Sequence, residues 1–321
     1  MTAWHRRPGP VIDGDFHLAI TDRDPGWQHT SLHVATIIPG GFVEHPCIAE
    51  EVVVVPLSGS YAAELLPLTG DPADVVRIDL VGRVSVFDGP TDVLYVPPGF
   101  RVRLTQTGSS WGTVALCGAY VPDAVTGERD PFLLPAAEVP IELRGTGQAT
   151  REVRNFAVPG VLAAERLIAC EVITPAGNWS SWPPHKHDED LPGRESRLEE
   201  IYWFDVRPDD SAPPTADPVG YFRMHDRARG EDPVRVLPGL DDETTHLDEL
   251  IEVRPGEVVL VPHGWHGPAM APPGYDLYYL NVMAGPGPER AWLITDDPDH
   301  AWVRQTWPDQ SPDPRLPLGG Q

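Results

Sequence analysis

Turn-forming residues interrupt this chain along its whole length, since its 321 residues include 38 prolines and 30 glycines. Few runs between them keep the apolar spacing of a helix, so the pattern favours many short strands joined by turns. The hydrophobic content of 41% is enough for ordinary cores, and the length allows two domains of about 150 residues each. We therefore predict an all-β protein with few short helices.

The chain contains a weak internal repeat. Residues 50–55 (EEVVVV) and 199–204 (EEIYWF) each place two glutamates before an apolar strand. Residues 94–101 (LYVPPGFR) and 259–266 (VLVPHGWH) share a strand, a Val-Pro turn and a glycine. This predicts two tandem β-barrels, at 1–150 and at 151–321, the second ending in a frayed C-terminal tail.

Histidines in the second half suggest a metal site. His185 and His187 follow two prolines, and in extended backbone residues two apart project from one face. A glutamate pair and a further histidine follow on later strands, a pattern typical of a mononuclear metal site in a β-barrel. Alternation alone leaves Glu199 and Glu200 both open as the carboxylate ligand, whereas His266 is preferred to His263 because it re-enters a strand.

The first half is predicted to lack this site, because Arg101 takes the place of His266 and no His-x-His occurs there. The second-half donor set would suit one divalent transition metal ion, with Zn²⁺ or Mn²⁺ favoured and Fe²⁺ or Ni²⁺ also compatible. Open coordination positions would permit Lewis-acid chemistry on a substrate carbonyl or hydroxyl.

Other polar residues are predicted to surround the metal. Tyr279 and Asn281 share one face of a strand and Tyr278 the other, and a tyrosine facing the metal could move a proton. We predict Glu199 and Tyr279 as catalytic, and the following as substrate-binding: Asn178, Lys186, Arg223, Tyr278 and Asn281. Lys186 is the only lysine, but alternation points it away from the histidines, which favours a structural or gate-lining role.

The net charge of −24 argues against nucleic acid and anionic membranes as partners. A small anionic substrate would need a local positive centre, which a metal ion would provide. Three widely spaced cysteines indicate no disulfide framework, and neither a signal peptide nor a membrane-spanning apolar run is visible. We expect a cytoplasmic protein that forms a homo-oligomer.

Several motifs resemble the 5-deoxy-glucuronate isomerase family of bacterial myo-inositol catabolism. They are 85–87 (SVF), 95–97 (YVP), 171–172 (EV), 174–181 (TPAGNWSS), 183–188 (PPHKHD), 198–202 (LEEIY), 262–266 (PHGWH) and 278–285 (YYLNVMAG). The resemblance covers most of the chain and is densest in the second half. It implies a two-barrel cupin (a bicupin), with His185, His187, Glu200 and His266 as the metal ligands. Trp265 and Gly267 depart from the family pattern beside His266.

The resemblance further implies a small anionic sugar acid as substrate and an aldose–ketose isomerisation, from 5-deoxy-D-glucuronate to 5-dehydro-2-deoxy-D-gluconate. Proton transfer through an ene-diolate would need a base, for which Glu199, Tyr279 and a water remain open, as does a hydride shift. Two alternative functions are a cupin metal-dependent dioxygenase, since the same ligands with Fe²⁺ can activate O₂, and a non-catalytic sugar-binding cupin.

Overall fold

The computed structural model describes residues 3–318 except 13, 70, 72, 122–128, 227–236, 238–239, 241–245 and 288. The described chain is built from β-strands and short 3₁₀ segments, which confirms the predicted all-β class. The 3₁₀ segments are Val86–Asp88, Ala136–Glu138, Gly147–Ala149 and Ala301–Asp309. No helix among the described residues is long and apolar enough to cross a membrane.

The first half forms one curled sheet of nine strands. Its strands are β2 (Leu18–Ile20), β3 (Thr30–Ile37), β4 (Phe42–Cys47), β5 (Glu50–Pro67), β6 (Val76–Arg83), β7 (Val93–Val96), β8 (Phe100–Gln106), β9 (Gly112–Tyr120) and β10 (Phe132–Leu134). The 18-residue β5 organises it, pairing with β7 and β9 early in its length and with β6 and β8 later. Valine and leucine side chains that alternate along these strands fill the interior.

The second half contains two sheets that face each other. Their strands are β1 (His5–Arg6), β11 (Ile141–Arg144), β12 (Arg151–Ala157), β13 (Ile168–Thr174), β14 (Trp179–Ser180), β15 (His185–Lys186), β16 (Glu199–Pro208), β17 (Gly220–His225), β18 (Asp248–Val253), β19 (Val258–Val261), β20 (Trp265–Met270), β21 (Tyr275–Ala284) and β22 (Thr295–Asp296). The seven-stranded sheet has the order β1-β19-β16-β21-β13-β12-β11, and the six-stranded sheet has the order β18-β17-β20-β15-β22 with β14 paired to β20. Aromatic rings join the sheets, with Tyr202 and Phe222 having ring centroids 4.6 Å apart.

The two halves interlock. Strand β1, from the start of the chain, pairs with β19 and so completes the sheet of the second half. Between the halves Arg154 is fully buried, pairs with Glu152 at 2.7 Å, and donates to the Val86 carbonyl at 2.8 Å. Arg83 pairs with Glu171, to which the Tyr278 hydroxyl also donates. A domain boundary at residue 150 therefore stays a prediction, and β1 precedes it although it belongs to a sheet of the second half.

Two carboxylates, Glu51 and Glu199, each accept hydrogen bonds from the other half of the chain, and we call these contacts the clasp. Glu51 of the first half accepts backbone N–H groups from Glu165, Arg166 and Leu167 at 2.6–2.7 Å. Glu199 of the second half accepts N–H groups of 28–30 at 2.6–3.2 Å. Their positions in the sheets match, since Glu51 lies opposite Ala119 and Glu199 opposite Ala284. In the structure the repeat therefore aligns Glu51 with Glu199 and Val52 with Glu200, one residue away from the alignment of the two glutamate pairs in the sequence.

The C-terminal segment is packed against the second half, so the predicted frayed tail was wrong for its described part. Asp313 accepts a hydrogen bond from the Asn178 side chain at 3.0 Å, and the Leu318 N–H donates to Glu152 at 2.7 Å. Leu316 is buried. Proline and glycine content suggested an open tail, but these polar partners come from distant parts of the chain.

We predict that Glu51→Gln lowers the free energy of unfolding by about 2–4 kcal/mol, because an amide cannot accept all the buried N–H donors that the carboxylate holds. Chemical denaturation followed by tryptophan fluorescence measures the change. Glu64→Gln is the control, since its pair with Arg77 is solvent-exposed and contributes little. Equal denaturation midpoints for the two variants would contradict the clasp.

Candidate metal centre

Three histidines converge between the two sheets of the second half. His185 on β15 lies directly opposite His266 on β20, with ring centroids 4.5 Å apart. His187, two residues after His185, brings its ring centroid within 4.7 Å of His266. One nitrogen from each ring lies within 4.8 Å of the others, and all three side chains are buried. The extended backbone predicted after the two prolines produces this convergence.

Glu200 approaches the three rings from the facing sheet. Its Oε2 lies 3.0 Å from His187 Nε2 and 3.1 Å from His266 Nε2. The Nδ1 atoms of the two histidines lie 3.2 Å from the Leu198 carbonyl and 3.1 Å from the Gly264 carbonyl. Donation from Nδ1 to these carbonyls orients the Nε2 lone pairs toward the centre, as in metal-binding histidines.

The protonation states of His185 and Glu200 suit a metal. Burial and the neighbouring His266 hold the pKa of His185 well below its usual range, so its imidazole is neutral. Burial opposes ionisation of Glu200, but His187 and His266 outweigh it and hold the pKa of Glu200 at about 2. In addition, His266 Nε2 is buried without a hydrogen bond of good geometry. Burial lowers the pKa of His187, but its hydrogen bond to Glu200 outweighs burial and raises the pKa, so a metal ion would displace a proton there on binding. The three imidazoles and one carboxylate are then a donor set that fits a divalent transition metal ion.

A layer of hydroxyl groups lies next to this centre. Tyr202 projects from the same face of β16 as Glu200, and its ring centroid lies 6.2 Å from that of His266. The Tyr279 ring is 5.2 Å from Tyr202, and its hydroxyl lies 3.3 Å from Ser181 Oγ. Burial raises the pKa of both tyrosines, and the Glu200 carboxylate adds to the effect at Tyr202, so both phenols are protonated.

The backbone around Ser181 is tightly constrained. Ser181 has a φ of +51°, in the left-handed region that non-glycine residues rarely adopt. The neighbouring Gly267 also has a positive φ, and a Cβ there would lie 2.1 Å from the Ser181 carbonyl oxygen. The glycine directly after His266, which departs from the family pattern, therefore allows the Ser181 turn to approach β20.

Tyr279 and Asn281 lie on the inner face of β21, as predicted from alternation. Asn281 is directly opposite Cys170 on one side and Tyr202 on the other. Its side chain is buried, and its Nδ2 has no hydrogen-bond partner among the described residues. A buried, unpartnered amide N–H on this face is available to a bound molecule.

Glu199 and Tyr278 lie on the opposite faces of their strands, against the first half. The four donors to Glu199 are the N–H groups of 28–30 and the Thr30 hydroxyl, and burial raises its pKa to about 7. The Tyr278 hydroxyl donates to Glu171. Neither side chain faces the histidines, so the geometry argues against Glu199 as base and Tyr278 as substrate ligand.

Three more residues that were predicted to bind the substrate make contacts with other protein groups instead. Asn178 is buried and donates to the Thr150 carbonyl and to Asp313, both at 3.0 Å, which fixes the C-terminal segment. Lys186 points away from the histidines, as alternation predicted, and its Nζ contacts carboxylates of Asp188, Glu189 and Glu195 at 2.7–3.1 Å. Arg223 pairs with Asp248 near the surface. The geometry gives these residues structural roles.

Tyr202 and Ser181 are the members of this site that sequence reasoning did not select. Tyr202 carried a usable signal, since it lies two residues after Glu200 and must share its face in a strand. Ser181 carried none, because its position depends on a left-handed turn and on its contact with Tyr279 from another strand.

Comparisons with known proteins agree with this architecture. An IolB-like protein from Salmonella typhimurium superposes with a TM-score of 0.75 at 29% identity, covering 94% of this chain and 99% of that one. An oxalate decarboxylase from Lactobacillus farciminis superposes with a TM-score of 0.60 at 10% identity, covering 95% and 91%, which shows a shared cupin fold.

Curated relatives resemble the chain over most of its length. A 5-deoxy-glucuronate isomerase from Geobacillus kaustophilus is 34% identical over 291 residues, covering 90% of this chain and 91% of the relative. One from Shouchella clausii is 39% identical over 222 residues, covering 69% and 70%. The KduI/IolB family profile matches residues 5–303. The chain therefore belongs to the KduI/IolB family.

Proposed function

We propose that this protein is a metal-dependent aldose–ketose isomerase that converts 5-deoxy-D-glucuronate to 5-dehydro-2-deoxy-D-gluconate in myo-inositol catabolism. The observation that carries the proposal is the convergence of His185, His187, His266 and Glu200 in a chain of the KduI/IolB family. The activity named for the curated relatives supports the same assignment.

The four side chains would hold one divalent transition metal, with Zn²⁺ or Mn²⁺ favoured and Fe²⁺ or Ni²⁺ compatible with the same donors. A protein of similar fold, the Bacillus subtilis oxalate decarboxylase, has Mn(II) centres. When bound, the metal would supply Lewis-acid polarisation of the substrate oxygens. We place it in the second of two tandem barrels, and the first barrel would serve as scaffold.

The hydroxyl layer would manage protons and orientation. Tyr279 retains its proton at neutral pH, so it would donate a hydrogen bond to a developing oxyanion, a task for which a phenol is suited. Asn281 would donate through Nδ2 to a substrate hydroxyl. Because Glu199 is held by four donors from the first half, we assign it to structure and leave the C2 proton to another acceptor.

The three cysteines are free and buried, which agrees with a reducing compartment and supports a cytoplasmic location. Homo-oligomerisation stays a prediction.

We predict that Glu200→Gln reduces bound metal by at least about 10-fold, because an amide is a weaker ligand than a carboxylate. Glu199→Gln, one residue away on the other face, should retain the metal. Elemental analysis of both purified variants after dialysis measures this difference. If Glu199→Gln lost the metal and Glu200→Gln kept it, the assignment of the ligand would be wrong.

We also predict that turnover of 5-deoxy-D-glucuronate in D₂O places deuterium on substrate C1, which becomes the hydroxymethyl carbon (C6) of 5-dehydro-2-deoxy-D-gluconate. A base that removes the C2 proton can exchange it with water before delivering it to C1. NMR of the product measures the incorporation. Turnover without any deuterium would instead indicate a hydride shift or a shielded base. Absence of turnover, with O₂ uptake on another substrate, would refute the isomerase.

A further inference from the structure

Three arginines gather where the two sheets of the second half approach each other at their edges. Arg144 on β11 and Arg151 on β12 are directly opposite each other at the edge of the seven-stranded sheet. At the edge of the six-stranded sheet, His185 is directly opposite Asp296, and Arg304 donates to Asp296 at 2.6 Å. The Arg304–Asp296 pair therefore lies beside His185, one of the predicted metal ligands.

Arg151 also projects toward the inside of the second half. It shares a strand face with Val153, which continues across the sheet through Val172 to Tyr279. The Arg151 charge also acts on Tyr279, where it favours the ionised form of the phenol. Its guanidinium therefore lies near the hydroxyl layer, on the inner face of the same sheet.

Arg151 differs from its neighbours in having no anionic partner. Arg144 pairs with Glu142 at 2.9 Å, and Arg304 pairs with Asp296. No carboxylate within the described part of the chain forms an ion pair with Arg151. Its side chain donates one long hydrogen bond to the described residues, from Nη1 to the Ala149 carbonyl at 3.3 Å. Its Nε and Nη2 groups have no partner among those residues.

An unpaired guanidinium in this position is unfavourable for the protein alone. Arg151 is partly buried, and desolvation together with Arg144 and Arg304 lowers the pKa of its guanidinium to about 10. Charges that lose part of their water are usually paired, and the chain has 48 acidic residues from which a partner could have come. The position is suited to an anion that arrives with a ligand.

We propose that Arg151 binds the carboxylate of the sugar-acid substrate and thereby places the opposite, aldehyde end at the histidine centre. This inference rests on the proposed isomerase function. A guanidinium binds a carboxylate through two parallel N–H donors, which fixes both position and orientation. Asn281 Nδ2 is a second unpartnered donor and would contact a hydroxyl between the two ends.

The overall charge makes such a residue necessary. At a net charge of −24 the protein repels a hexuronate, and the metal end alone would not distinguish a sugar acid from a neutral sugar. Arg151 would supply that discrimination, so its removal should affect acidic ligands selectively.

The test compares Arg151→Gln with the wild type, using Arg77→Gln on the exposed surface of the first half as a control for the lost charge. Steady-state kinetics with 5-deoxy-D-glucuronate should show KM raised about 10- to 100-fold in Arg151→Gln, with a smaller change in kcat. Calorimetry should show wild type binding D-glucuronate more tightly than the neutral D-glucuronamide, and Arg151→Gln losing this preference. Arg151→Lys should be intermediate.

A thermal melt separates this role from a structural one. Loss of an unpaired charge should leave Tm unchanged or raise it, whereas loss of a structural residue would lower it. An unchanged KM and an unchanged acid-over-amide preference in Arg151→Gln would overturn the inference while wild-type turnover upheld the isomerase. If the wild-type protein showed no turnover, the proposed isomerase function would be wrong. The calorimetric preference for the acid over the amide would still show whether Arg151 binds a carboxylate. A reduced Tm in both the Gln and Lys variants would also overturn it.

Discussion

Strand β16 begins with two adjacent carboxylates that face in opposite directions, and the arrangement of the second half depends on this alternation. Glu199 points outward, where backbone N–H groups of 28–30 hold it against the first half. Glu200 points inward, 3.0 Å from His187 and 3.1 Å from His266. A shift of one residue in the pairing of β16 would turn Glu199 inward and Glu200 outward, so that both carboxylates would lose their present partners. Contact between the halves therefore adds to the pairing of β16 with β19 and β21, which sets this register.

The same alternation explains how the halves diverged. Glu51 repeats the clasp of Glu199 from the other side, but the inward residue that follows it is Val52, and Arg101 stands in the place of His266. The first half instead buries His45 against Glu50, with 2.8 Å between Nε2 and Oε2. The clasp was thus retained in both halves, whereas we propose that metal binding belongs to the second alone.

Sequence patterns predicted those features that depend on local alternation. The all-β class is confirmed, and the inner faces of the strands bearing His185, Tyr279 and Asn281 agree with the spacing. The patterns did not separate Glu199 from Glu200, because both faces of β16 are apolar. What distinguishes the two glutamates is the backbone of 28–30, in the other half of the chain, which binds Glu199. Likewise Asn178 resembled a site residue, yet its partners are Thr150 and Asp313, which no local pattern connects to it. The roles of Glu199 and Asn178 therefore follow from contacts between distant segments, which sequence spacing cannot predict.

The central claim is that one metal ion is bound by His185, His187, His266 and Glu200. The most direct measurement is a crystal structure of the purified full-length protein with data collected at the absorption edge of its metal. The account predicts one strong anomalous peak per chain, about 2.0–2.2 Å from one nitrogen of each histidine and from a Glu200 oxygen. A peak at His45 and Glu50 of the first half, or at the Asp188, Glu189 and Glu195 carboxylates, with none among the three histidines, would contradict it.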